Sequence, residues 1–344
     1  MEKFWSIYEL ENNIVDNANF KPLGNKNVRS CRFCKQKPPT ATFKKIAHLM
    51  PQLMGNKRMT TYFECDICNT HFSKYETSLA SYIGCISTLL GIKGKKGIPK
   101  VKKKVTAYPN DEYALTAERK SEELVTFFFN GKIPQQNVII NEDGVSIKIA
   151  KSSYIPREAF KALLHTGISM IHGKDLKKFE IIREFLLDEN KISSFTSHRL
   201  ILMQSILSIN EFKTKPTVFI FSRKSNCVGY FSKAIVISFS SIIYQFFIPS
   251  DEDLMSEKQG ISFHYPHFCT DDPKYKGPLN SLKFSSIDLT SADKVINEEE
   301  IIGFPGLKPI KEGDSYKTLD SRTLKSTLPT YFWGFLLFFF VFLY

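Results

Sequence analysis

Cys31-Arg-Phe-Cys34, then Ala47-His48-Leu-Met-Pro51, then Cys65-Asp-Ile-Cys68-Asn69-Thr-His71: the reading of this stretch decides the fold. Two residues between paired cysteines turn both sulfurs of a tight knuckle toward one ion, and two knuckles supply the four thiolates that tetrahedral zinc prefers. Cys31, Cys34, Cys65 and Cys68 are therefore read as a closed, structural zinc site. The competing readings are unrelated thiols, or disulfides of a secreted protein. Against disulfides stands the N-terminus, where Met1-Glu-Lys-Phe-Trp runs on to Glu9, Glu11 and Asp16 with no apolar stretch suited to a signal peptide. A cytoplasmic location is expected. His48 falls within the thirty residues between Cys34 and Cys65. Four sulfurs already fill the zinc shell. His48 is thus left either for acid or base work, which its near-neutral pKa suits, or for simple packing.

The order Cys31, Cys34, His48, Pro51, Gly55, Cys65, Cys68, Asn69 resembles the HNH endonucleases that carry a zinc-stapled ββα-metal core. The resemblance covers roughly residues 28–92 and matches eight positions in sequence, which makes it more specific than a lone Cys-x2-Cys. It implies a treble-clef-like fold for this stretch and hydrolysis of phosphodiester bonds. In that family the histidine matching His48 removes a proton from water. One divalent ion, Mg2+ or Mn2+, meets the scissile phosphate, and the residue matching Asn69 binds it through its amide oxygen. The chain departs from the pattern at Ala47, where many members place a metal-binding Asp or Glu. His71 is the nearest spare ligand; its alternative is an exposed residue at a helix start. Glu76 is a weaker candidate, read as a solvated helix charge, and Asn56 either orients the His48 loop or serves only the turn after Gly55.

Charge points to a nucleic-acid partner. Between Asn17 and Phe63 the chain carries ten Lys or Arg and no Asp or Glu, and a second run follows at Lys93, Lys95, Lys96, Lys100 and Lys102 to Lys104. Residues 1–112 hold nineteen basic and nine acidic groups, so +10 of the formal +12 lies in the first third. Such a surface neutralises phosphates without reading sequence. Double-stranded DNA is expected ahead of RNA, with restriction or phage defence as settings. The rival from another class is a non-catalytic, zinc-stabilised nucleic-acid-binding protein; a third reading is a zinc fold that serves protein partners.

The expected architecture is α+β: an N-terminal ββα-metal zinc core, then a larger α+β domain. A helix is expected from the second knuckle, with Leu79, Tyr82, Ile83, Ile86, Leu89 and Leu90 at three- and four-residue steps and a stop at Gly91 and Gly94. The glycine- and lysine-rich run after it suits a linker or an extended DNA-tracking strand. Residues 1–112 form the nuclease domain, 113–327 a domain of unknown role, and 328–344 an apolar tail. In the second domain, alternation predicts strands over Leu124–Phe129, Asn137–Ile140 and Val145–Ile149, and Pro156 opens a helix followed by another over Leu176–Leu187. Strands return between Thr217 and Pro249. His264 and His267 lack a second ligand cluster and read as an aromatic loop. His165, His172 and His198 have no partner legible in the sequence. The uncharged run Tyr331–Tyr344 has fourteen residues against the roughly 20 of a spanning helix, so a membrane anchor is disfavoured.

Overall fold

A computed structural model describes residues 2–104, 114–119, 125–130, 133–142, 144–188, 199–206, 214–254, 283–305, 311–312 and 315–316. The architecture is α+β, as expected. In chain order the elements are α1 (Glu2–Ile7), β1 (Tyr8–Val15), β2 (Ala47–His48), β3 (Thr60–Thr61), α2 (Asp66–Ile83) and α3 (Ile86–Leu89). Next come β4 (Val101–Lys104), β5 (Ala114–Arg119), β6 (Val125–Asn130), β7 (Ile133–Pro134), β8 (Val138–Asn141) and β9 (Gly144–Ala150). Then follow α4 (Pro156–Met170), α5 (Glu180–Leu187), β10 (Ile201–Ile206), β11 (Thr214–Arg223), β12 (Lys233–Ser240), β13 (Ile242–Ile248) and α6 (Asp251–Leu254). The last are β14 (Lys283–Asp288), β15 (Glu299–Pro305), β16 (Lys311–Glu312) and β17 (Ser315–Tyr316).

The largest sheet among the described residues is six-stranded and antiparallel, in the order β1-β11-β12-β13-β10-β14. Runs such as Ala234-Ile-Val-Ile and Tyr244-Gln-Phe-Phe bury both faces of its central strands, which explains why they read as continuous rather than alternating. One face packs on α4, where Phe160 meets Phe246 at 5.7 Å between ring centroids. Gly167 lets α4 settle closely there, since a Cβ at this position would lie 2.5 Å from Ile248 Cδ1. The other face is capped by α1, whose Phe4 stacks on Tyr8 and meets Phe221 edge-on.

The helix α2 packs against α4, and one apolar cluster runs from Phe33, Met54, Phe72 and Leu79 through Leu163 and Ile168 to Tyr244 and Phe246. The expected helix begins at the knuckle but ends earlier than its apolar steps suggest. Gly84 takes φ +66°, and the next backbone N–H, at Cys85, donates to the Glu300 carboxylate at 3.3 Å. The chain therefore breaks there, and Ile86 to Leu89 form a separate short helix. Lys100 to Lys104 are no free linker, because β4 pairs antiparallel with β5. In the second helix of the later region, Leu176–Phe179 is a 3-10 turn that runs into α5. The boundary near residue 112, His198, His264, His267 and the 328–344 tail lie outside the described residues. Among the described residues no helix is long and apolar enough to cross a membrane.

Candidate metal centre and cleavage site

The four knuckle cysteines converge. The sulfurs of Cys31, Cys34, Cys65 and Cys68 all lie within 4.8 Å of one another, with Cys34 and Cys65 at 3.6 Å. Four thiolates about 2.3 Å from one zinc would stand slightly under 4 Å apart, so the group fits a tetrahedral ion. Its electrostatics agree. The Cys68 thiol and nearby backbone N–H groups hydrogen-bond to Cys31 and hold its pKa down to about 5, while burial pushes Cys65 up to about 11. Cys68 is pushed higher still, first by its hydrogen bond to Cys31. A thiolate that raises its neighbours in this way is relieved by a cation at the centre. Among the described residues this is the only group of three or more His, Cys, Asp or Glu side chains placed to hold one ion.

Cys65 is also the residue that opens α2, so the knuckle fixes the start of the helix bearing Asn69. A second fastening comes from Asp66 in the first helical turn. Its carboxylate accepts from Thr42 Oγ1 at 2.6 Å and from the backbone N–H groups of Lys44 and Lys45 at 3.0 and 2.9 Å. These bonds hold the segment that leads into β2 and His48. Ala47 and His48 pair with Thr61 and Thr60, and Leu49 N–H donates to Met59 at 2.9 Å.

Asn56 closes the loop. It is 1% exposed, and its amide donates to the carbonyls of Met50 and Met59 at 2.6 and 3.0 Å while accepting from Met59 N–H at 2.9 Å. Both amide hydrogens are thereby used. His48 Nδ1 lies 3.5 Å from the same amide nitrogen, so Asn56 also touches the imidazole. The preceding Gly55 has φ +87°, which lets the 3-10 turn Gln52–Met54 reverse into Asn56. Asp16, just after β1, accepts from the backbone N–H groups of Lys57 and Arg58 at 2.8 and 3.2 Å and so pins the far side of this loop.

The result is a cavity of about 350 Å³ in which His48 and Asn69 face the same space, together with Gln52, Glu76, Lys45 and Lys95. Asn69 and Glu76 are seven residues apart on α2, two helical turns, which places them on one face. Burial lowers the pKa of His48, with Lys95 adding to the effect and Asp16 opposing it. Burial raises that of Glu76. His71 does not line this cavity: two residues on from Asn69 it faces the other way, and its Nε2 meets the Leu186 carbonyl at 2.9 Å and Tyr75 Oη at 3.1 Å. Ala47 is buried and likewise lines no part of the cavity. Glu76, a weaker candidate in the sequence, lines the cavity with Asn69, whereas two contributors carried no readable signal: Lys95 was hidden in a lysine run and Asp16 gave no local sign of its clamp.

Of the remaining histidines described, His165 is buried and its Nε2 meets Glu64 Oε2 at 2.8 Å, whereas His172 is exposed. Compared with protein-family models, with curated proteins and with solved structures, the chain gives no match.

Proposed function

We propose that this chain is a metal-dependent HNH endonuclease that hydrolyses phosphodiester bonds, of DNA ahead of RNA. The observation that carries the proposal is the meeting of His48 and Asn69, from different elements, in one polar cavity on a cysteine-stapled scaffold. His48 is the general base: burial lowers its pKa and so favours the neutral imidazole that can take a proton. Asn69 and Glu76 would hold the catalytic Mg2+ or Mn2+, with Glu76 supplying the carboxylate that Ala47 does not. A single carboxylate suffices for Mg2+, which keeps several waters and takes further oxygens from substrate phosphate. When bound, such an ion neutralises charge on the scissile phosphate. His71 is assigned instead to packing α2 against the end of α5.

The chemistry of the chain's own residues is then simple. A water between His48 and the phosphate gives its proton to the imidazole and forms a new P–O bond. The bond to the 3′ oxygen breaks, and that oxygen takes a proton from solvent. Asn56, Asp16 and Asp66 hold the loop that sets the attack geometry. The basic first third of the chain supplies affinity for the backbone, as restriction or phage defence requires.

Incubation with supercoiled plasmid tests this reading. Nicking that needs Mg2+ or Mn2+, stops with chelator and is lost in His48→Ala at unchanged zinc content supports it. A non-catalytic, zinc-stabilised nucleic-acid-binding protein is the second reading, favoured by the cysteines being the only multi-ligand group among the described residues. Salt-sensitive binding without cleavage under any divalent ion would select it.

A further inference from the structure

Resting on the nuclease reading above, we propose that Lys95, delivered by a loop outside the ββα unit, is a catalytic residue whose ammonium contacts the scissile phosphate. The loop is built to hold it there. After α3, Gly91 takes φ +69° and Ile92 turns inward, 6% exposed, beside the Gly55 turn that follows His48. Its Cγ2 lies 3.4 Å from where a Gly55 Cβ would stand. Gly94 tucks against the other end of the same turn, its Cβ position 3.7 Å from the Gln52 carbonyl oxygen. Gly94 and Gly97 then close the loop by reciprocal backbone bonds of 2.9 and 3.3 Å, and Thr88 Oγ1 donates to Pro99 at 2.7 Å. Fastened on both sides, the two residues at the tip are Lys95 and Lys96, and Lys95 lines the cavity of His48 and Asn69.

Charge gives this placement a purpose. Among the described residues Lys95 has neither an ion-pair nor a hydrogen-bond partner, although Glu76 lines the same cavity. Phosphodiester attack puts a second negative charge on the phosphoryl oxygens, and an ammonium carried to the wall of the cavity by a fastened loop backbone meets that charge. No proton leaves Lys95 in this step; it acts as a point charge. Lys93 and Lys95 are both exposed, but only Lys95 lines the cavity, which makes Lys93 an internal control.

The experiment compares full-length wild type with Lys95→Ala, Lys95→Arg, Lys93→Ala and His48→Ala, each checked for zinc content and melting temperature. Single-turnover cleavage of a duplex in saturating Mg2+ is read beside binding of that duplex in Ca2+ by anisotropy. The expected result is a cleavage loss of about 10²–10³-fold in Lys95→Ala at saturating protein, partial recovery in Lys95→Arg, and for Lys93→Ala a small loss of duplex affinity of the same size as in Lys95→Ala with no matching loss of the saturated cleavage rate. Lys95→Ala cleaving like wild type while His48→Ala is dead would overturn the role of Lys95 and leave the nuclease reading standing. Equal losses of binding and cleavage in Lys95→Ala and Lys93→Ala would also overturn it, reducing Lys95 to general backbone affinity. Wild type that fails to cleave under either ion removes the nuclease reading, and this proposal with it.

Discussion

The knuckle region and the six-stranded sheet are held by different forces. Around His48 the regular strands are two residues long, and polar clamps at Asn56, Asp16 and Asp66, each satisfying several backbone groups, add to the apolar packing of Leu49, Met50, Met54 and Met59. In the sheet, strands of six to ten residues bury aromatic and β-branched side chains on both faces. A metal held by the four cysteines would concentrate stability in few groups, whereas the sheet spreads it over many contacts.

Metal removal presses hardest on this contrast. Structural zinc contributes on the order of 10 kcal/mol in small zinc modules, so chelation at neutral pH should unfold the knuckles. Hydrogen exchange is expected to show lost protection at the start of α2 while β12 and β13 stay protected. Simultaneous loss in β12 would mean that the shared apolar cluster, not zinc, dictates cooperativity. On the sheet side, Phe246→Ala removes a fully buried ring packed on Phe160 and should cost about 3–5 kcal/mol. Urea unfolding measures it, and zinc stoichiometry should not change. Asn56→Ala is expected to cost less, about 1–3 kcal/mol from orphaned buried carbonyls and N–H. It should nevertheless abolish cleavage, because the loop after His48 loses its tie. A variant that is destabilised yet fully active would show that placement does not depend on this clamp. The smallest effect is on pH. Burial favours neutral His48, so its folded pKa lies below the ordinary value near 6.5. The acid limb of the rate profile should fall below that value, with activity rising as pH increases through it and then levelling. A limb at or above it would place the essential base elsewhere.

The zinc quartet was legible because its geometry is written in spacings of two residues, and α2 because its apolar steps are local. The end of α2 was not. Leu89 and Leu90 continue the helical rhythm, and only Glu300, more than two hundred residues away, reveals that Gly84 is the break. Asn56 looked like half of a turn, and its three backbone partners are visible only once Met50 and Met59 face each other. Glu76 carried its message in plain helical spacing, yet charge on a helix is usually solvated. His71 was judged by proximity in sequence, but a step of two residues on a helix turns a side chain through about 200°. Lys95 illustrates the limit of charge runs: of the lysines in its loop, the backbone turns one into the cavity.

Arg32 lies between two knuckle residues, and its guanidinium covers the Phe63 ring at 3.7 Å while donating to the carbonyls of Ile168, Ser169 and Ile171 at 2.8 to 2.9 Å. It thus closes the carboxyl end of α4 from within the first cysteine knuckle. Transplanting residues 28–92 into another protein would carry the cysteines and His48 but strand this guanidinium with no carbonyls to meet. A graft would need either a helix end brought to the same spot or a neutral residue at position 32, so whether residues 28–92 can be moved is decided by an arginine that belongs to neither the sulfur quartet nor the cavity.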